Sequence, residues 1–279
     1  MTAQPNRSRP IRRAVAAVAA AVLLCLFSLA GAAGASAAQP EPPKPTVVLV
    51  HGAFADASSW NGVVTRLQKQ GYRVVAPALA MRGLAADSAY LASLLGQIEG
   101  PVVLAAHSYG GAVISTAATN APNVRALVYV NGFATEDGEV LSAAEKGSTD
   151  SALNPSLQQF TYPTGPGTTA VELLVDPARF PAIFAGDLPA EQGALLAATQ
   201  RPAAAAVFNE PAGPPAWKTV PTWALVATGD KAAGTDVTLS MAKRAGAAIT
   251  EVDGSHLIMI SKPDVVTDVI VKAVQGAKR

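Results

Sequence analysis

The chain has 279 residues, 50% hydrophobic content and a formal net charge of +1. That near-neutral balance leaves no basic footprint for nucleic acid or for an anionic membrane surface. The only cysteine, Cys25, falls in an apolar N-terminal run, so neither a disulfide nor a thiol nucleophile is expected in the rest of the chain.

Arg7, Arg9, Arg12 and Arg13 precede the uncharged stretch 14–38, which ends in the small residues Ala35-Ser36-Ala37-Ala38. A charged start, an apolar centre and a small-residue end are the pattern of a secretory signal peptide cut after Ala37 or Ala38. Its competitor is a membrane anchor, because the run is almost long enough to span a bilayer. The Pro-rich linker 39–45 that follows favours cleavage. The expectation is therefore an exported protein, extracellular or periplasmic, with no stable membrane anchor after cleavage and a folded domain over residues 46–279. Leu24 is too large for a lipoprotein box, and Arg12-Arg13 leaves twin-arginine export open.

Thr46-Val47-Val48-Leu49-Val50 reads as a short buried strand running into His51-Gly52-Ala53-Phe54. Ser58 or Ser59 is placed to cap a helix reaching about Gln70, with Trp60, Val63, Val64 and Leu67 on one side. A strand over 72–77 follows, then a helix to about Ile98 for which Asp87 is the expected cap. Val102 to His107 is again an apolar run, bounded by Pro101 and followed at once by a helix-compatible segment over 112–120. Residues 124–130, 222–228 and 248–252 supply further strands, and a last helix starts near Pro263. Strands alternating with helices imply a mostly parallel sheet covered by helices on both faces, an α/β fold.

Between residues 134 and 215 the alternation stops. Short helical pieces, one of them over 189–199, and Pro-, Gly- and Ser-containing loops suggest a helical cap inserted between core strands. Its Phe160, Tyr162, Phe180 and Phe184, together with Phe54, are candidate substrate-lining residues, although such aromatics more often build a cap's own core. Gly165-Pro166-Gly167 fits the letters of a dinucleotide fingerprint, but it contains a proline, no clear strand precedes it, and it lies outside the alternating core. No cofactor is expected. Three histidines without metal-ligand spacing predict no metal site either.

Ser108 sits where strand meets helix, with Ala106 two residues before it and Gly110 two after. Small residues at those positions permit a sharp turn that pushes the hydroxyl out above the sheet edge. The helix that begins there offers unpaired amides and a positive dipole end to a developing oxyanion, with the Tyr109 N–H as donor. This strand–serine–helix unit resembles the nucleophile elbow of the α/β-hydrolases, in which Ala106 replaces the first glycine of the usual Gly-x-Ser-x-Gly. The resemblance runs from about Thr46 to the C-terminus. It implies a second oxyanion donor in the His51-Gly52-Ala53 turn, the N–H of Ala53 with Phe54 the neighbouring candidate. It also implies an acid after strand 222–228, which Asp230 matches. Asp137, after the preceding core strand, competes for that place, and Asp236 reads better as a helix cap. His51 precedes the oxyanion turn and strand alternation turns His107 away from Ser108, which leaves His256 as the base. The order serine, acid, histidine is that of the family.

In detail the chain resembles bacterial carboxylesterases related to the plant methylesterase and hydroxynitrile lyase group. The expectation is a serine esterase acting on a small-molecule ester, uncharged and fairly apolar because the cap carries few charges. Lyases of that group carry a lysine after the histidine and a threonine in place of the glycine of His-Gly, whereas this chain has Leu257 and Gly52. The alternatives are such a lyase, a haloperoxidase-type or acyl-transferring relative, and a ligand-binding protein that retains the triad. Oligomeric state is left open.

Overall fold

The computed structural model describes residues 1, 2 and 44–277. The expected signal peptide, most of the linker and Cys25 lie outside the described residues. The central sheet has six strands: β1 (Thr46–Val50), β2 (Val74–Val75), β3 (Val102–His107), β4 (Val124–Val130), β8 (Thr222–Ala227) and β9 (Ala248–Val252). They pair in the order β2-β1-β3-β4-β8-β9, every pair parallel. Every residue of β1 and β3 is buried, as a valine-rich strand flanked by helices on both faces requires. The edge strand β2 is shorter than the run 72–77 because only Val74 and Val75 find a ladder partner in β1.

Helices α1 (Asn61–Lys69) and α10 (Pro263–Gly276) pack on each other, as do α2 (Leu84–Gly96) and α3 (Tyr109–Ala117). Both α10 and α3 lie against β3 and β4, so the two pairs sandwich the sheet. Helix α8 (Thr235–Arg244) covers β8.

Three expected caps are replaced by other groups. The Asp56 carboxylate, rather than Ser58 or Ser59, accepts from the Ser58 N–H at 2.7 Å and starts a 3₁₀ turn, Ala57–Trp60, ahead of α1. Gly83 begins α2, while Asp87 lies one turn inside it, buried, accepting from the Tyr109 hydroxyl at 2.8 Å and the Met81 N–H at 3.2 Å. Its carboxyl is held above its ordinary value, chiefly by burial. Gly234 begins α8, and Asp236 in the first turn accepts instead from Ser148 Oγ at 2.6 Å and the Thr149 N–H at 2.8 Å.

Between β4 and β8 the chain adds more than the short helices expected there. Helices α4 (Leu141–Lys146), α5 (Phe180–Phe184), α6 (Ala190–Thr199) and α7 (Ala206–Asn209) are joined by an antiparallel sheet of β5 (Leu157–Gly165), β6 (Thr168–Val175) and β7 (Ala203–Ala204). A strand therefore does precede Gly165, but Gly165-Pro166-Gly167 only turns it back into its antiparallel neighbour, pairing Gly165 with Thr168. The hairpin is fastened to the loop ahead of α2 by Arg82, which pairs with Glu172 at 2.9 Å and lies over the Tyr162 ring at 4.1 Å.

Candidate active site

The strands β1, β3, β4 and β8 end side by side, and the loops that leave them carry the candidate residues. Ser108 leaves β3 with φ 51° and ψ −126°, a left-handed conformation costing a non-glycine residue about 1–3 kcal/mol. The turn is held by three main-chain hydrogen bonds: Ser108 N–H to Val130 O at 3.4 Å, and Gly111 N–H and Phe133 N–H to Ser108 O at 2.8 and 3.2 Å. Gly110 has to be glycine, since a Cβ there would lie 2.7 Å from His51 O and 2.9 Å from Val50 O. Ala106 is still within the β3 ladder, opposite Val50 and Tyr129, where a methyl group is accommodated. The missing first glycine is thus no obstacle to the turn.

The His51-Gly52-Ala53 turn presses on the serine from the β1 side. His51 accepts the Leu79 N–H on Nε2 at 2.9 Å, so its proton is on Nδ1, which donates to Gly52 O at 2.9 Å. Burial holds His51 below its ordinary pKa, and its ring is occupied in closing the turn. A Cβ on Gly52 would sit 2.7 Å from Ser108 Cβ and 2.8 Å from His107 Nδ1. Gly52→Ala is therefore expected to displace the serine and lower turnover ten- to a hundredfold. Steady-state rates together with a melting curve for the variant check this, and an unchanged rate would contradict it. The N–H of Ala53, 4% exposed, has no acceptor among the described residues. The N–H of Tyr109, first residue of α3, has no partner within its helix. Phe54 follows with φ 61° and is buried.

Asp230 and His256 meet on the far side. Asp230 Oδ2 lies 2.8 Å from His256 Nδ1, and Oδ1 accepts the N–H groups of Ala232 and Ala233 at 2.9 and 3.0 Å. Both side chains are buried. The carboxylate accepts from Nδ1–H, so in the neutral imidazole the lone pair is on Nε2. Among the described residues neither His256 Nε2 nor the Ser108 hydroxyl has a hydrogen-bond partner. Asp137 is exposed, with no hydrogen bond or ion pair among the described residues, and Asp236 is engaged with Ser148 and Thr149. Of these three acids, all among the described residues, only Asp230 pairs with the imidazole.

His107 lies under His256, ring centroids 4.4 Å apart. Its Nε2–H donates to His256 O at 3.0 Å, and burial, with His256 as a lesser cause, drives its pKa well below the ordinary imidazole value. Two connections were not foreseen from the sequence. Asn131, just after β4, donates to Ser255 O and His256 O and accepts from the Ala227 N–H. Its only sequence signal is a polar residue at the carboxyl end of a core strand. Asp187 of the inserted region accepts from the hydroxyl of Ser261 at 2.7 Å and shares the single hydroxyl proton of Ser255 with Phe184 O, which lies 3.0 Å from Ser255 Oγ and also accepts the Leu257 N–H at 3.0 Å.

The five aromatic candidates separate into two groups. Phe184 sets its ring edge-on to His256 at 5.0 Å, stacks on Phe180 at 4.6 Å and meets Phe54 edge-on at 6.0 Å. Phe54 also stacks on Phe208 at 5.8 Å. Phe160 and Tyr162 stand apart on the β5–β6 hairpin, Phe160 46% exposed and Tyr162 under Arg82. A cavity of about 390 Å³ opens beside the first group, lined by Phe180, Phe184, Leu196 and Leu257 on one hand and by polar residues, Asp56, Asn61 and Gln192 among them, on the other. Phe184 borders both this cavity and His256.

A parallel α/β sheet whose strand ends gather an elbow serine and a histidine–aspartate pair defines the class, and the chain matches the alpha/beta hydrolase family over residues 47–269. It belongs to that family. Among individual proteins, it is 36% identical to a carbendazim hydrolyzing esterase of Nocardioides sp. over 109 residues, 34% of this chain and 45% of that protein. It is 33% identical to a pyrethroid hydrolase of Sphingobium wenxiniae over 105 residues, 33% and 37% of the two chains. The aligned stretch thus spans less than half of either relative. Polyneuridine aldehyde esterase shares the fold, with a TM-score of 0.70 at 20% identity over 82% of this chain and 99% of that one.

Proposed function

We propose that the protein is an exported serine esterase that cleaves a small, uncharged carboxylic ester through an acyl-enzyme on Ser108. The observation that carries this reading is the buried pairing of Asp230 with His256 Nδ1, which leaves Nε2 without a partner among the described residues at the strand ends where the elbow presents Ser108. His256 takes the Ser108 proton as Oγ attacks the ester carbonyl, and Asp230 stabilises the imidazolium that forms. The N–H groups of Ala53 and Tyr109 hold the tetrahedral oxyanion. The imidazolium returns its proton to the departing alcohol. Water, deprotonated by the same nitrogen, then releases the acid and frees the serine. The aromatic wall of Phe54, Phe180 and Phe184 suits an apolar acyl or alcohol group, and the adjoining cavity has a mixed apolar and polar lining. The names of the two curated relatives, an esterase and a hydrolase, agree with this chemistry.

Hydrolysis of p-nitrophenyl esters from acetate to palmitate, with Ser108→Ala as the blank, tests the proposal. Release of p-nitrophenol that disappears in the variant is the expected result. Equal rates in both proteins, or none on any ester, would sink it. Export is tested by N-terminal sequencing of the protein recovered outside the cytoplasm, with Ala38 or Gln39 as the expected first residue.

A further inference from the structure

The Asp230–His256 bond fixes the imidazole at one nitrogen only. His256 sits in the irregular stretch between β9 and α9 (Ile258–Ser261), where no ladder or helix holds the main chain. The main chain is tied to the segment after β8 as far as Gly254, whose O accepts the Gly229 N–H at 3.0 Å, and is held again where the Leu257 N–H donates to Phe184 O at 3.0 Å, but Ser255 and His256 between them have no main-chain hydrogen bond among the described residues.

Asn131 is fully buried and every polar atom of its amide is used. Oδ1 accepts the Ala227 N–H at 2.7 Å, and Nδ2 donates to Ser255 O at 3.2 Å and His256 O at 3.0 Å. The orientation of the amide is unambiguous, since a main-chain N–H faces one end and two carbonyls the other. Its own N–H donates to Leu225 O at 2.9 Å, which locks the residue to β8 a second time. Ala227 is three residues before Asp230. The φ of 45° at Asn131 is left-handed, a conformation that asparagine adopts more readily than most residues. It directs one short side chain from the end of β8 to the two loop residues that lie just beyond the last main-chain bond on that side, Gly229 N–H to Gly254 O.

We propose that Asn131 is a positioning residue: it spans from the strand that carries the acid to the loop that carries the base, and so sets where His256 stands relative to Asp230 and Ser108. The proposal rests on the serine-esterase reading above. His107 adds a second donor to the same carbonyl of His256 but has no bond to β8 among the described residues, so among the described side chains Asn131 is the one that ties Ser255 and His256 to β8, beyond the main-chain bond from Gly229 N–H to Gly254 O at 3.0 Å. A small loss of registration between a nucleophile and its base costs one to two orders of magnitude in rate, whereas binding at the aromatic wall does not involve Asn131.

The test compares the wild type with Asn131→Gly, which keeps the left-handed backbone comfortable and removes only the side chain. Folding is checked by circular dichroism, turnover on the best p-nitrophenyl ester gives kcat and KM, and NMR of ¹⁵N-labelled histidine reports the His256 Nδ1–H. The expected result is a folded variant with kcat ten- to a hundredfold lower, KM within about twofold, and a His256 Nδ1–H signal broadened or lost. A folded variant with kcat within about twofold and the same histidine spectrum overturns the proposal. Should the glycine variant not fold, Asn131→Asp takes its place, since it keeps the acceptor for Ala227 and removes both donors. The same losses are expected, and failure of both variants to fold would make Asn131 a folding element and overturn the positioning role. If the wild type itself shows no Ser108-dependent hydrolysis, the esterase reading fails, while the histidine spectra still decide whether Asn131 holds His256.

Discussion

Asp230→Asn is expected to leave the fold and KM intact and to lower kcat about 10⁴-fold. The reason lies in which end of the amide each neighbour accepts. Oδ1 of Asp230 is held by two N–H donors, from Ala232 and Ala233, so an asparagine must put its oxygen there. Its NH₂ then points at His256 Nδ1, now 2.8 Å from a carboxylate oxygen. A donor in that place forces the other tautomer, with the proton on Nε2, and the imidazole can no longer take the proton of Ser108. Stopped-flow or steady-state rates on an activated ester would measure the loss. A variant within tenfold of wild type would remove Asp230 from the mechanism.

Glu145→Gln should stabilise the protein at alkaline pH and do nothing at acidic pH. Glu145 lies on α4, 4% exposed, and burial, with the charge of Asp230 second, pushes its carboxyl up to about 8 from an ordinary 4.5. In the unfolded chain it ionises near 4.5 and in the folded protein only near 8. Between those values the folded state binds the extra proton, so stability falls as pH rises through that window and levels off above it. The full span corresponds to a ceiling of about 5 kcal/mol. Glutamine keeps the shape and never ionises, so the melting temperature of the variant should exceed that of wild type at pH 9 and coincide with it at pH 4. At about 2–4 °C per kcal/mol, even a fraction of the ceiling is readable. An offset independent of pH would mean that Glu145 is not the group responsible.

The core strands were legible because each is a run of apolar residues too short for a helix and bounded by turn formers. The β5–β6 hairpin escaped notice for the opposite reason. Most of β5 is exposed, so no alternation of apolar and polar residues marks it, and Pro163 and Gly165 read as loop. Asp87 and Asp236 look like helix caps in sequence because capping depends on position to within one residue, and the true starts are Gly83 and Gly234. Phe160 and Tyr162 cannot be told from Phe180 and Phe184 by type. Only the hairpin carries the first pair away from the aromatic wall.

For the candidate site, local sequence determined what is local. Ser108 with its small neighbours and the His-Gly turn are properties of short segments, since a turn and a helix start are built within a few residues, and the order serine, acid, histidine is read directly along the chain. Whether Asp230 or Asp137 faces His256 was decided by tertiary structure, because both follow core strands and only packing leaves one exposed and the other buried against the imidazole. Asn131 is the clearest case. Its partners, Ala227, Ser255 and His256, are 96, 124 and 125 residues away. No local pattern encodes a hydrogen bond between segments that meet only when the sheet and the loops at its strand ends have closed.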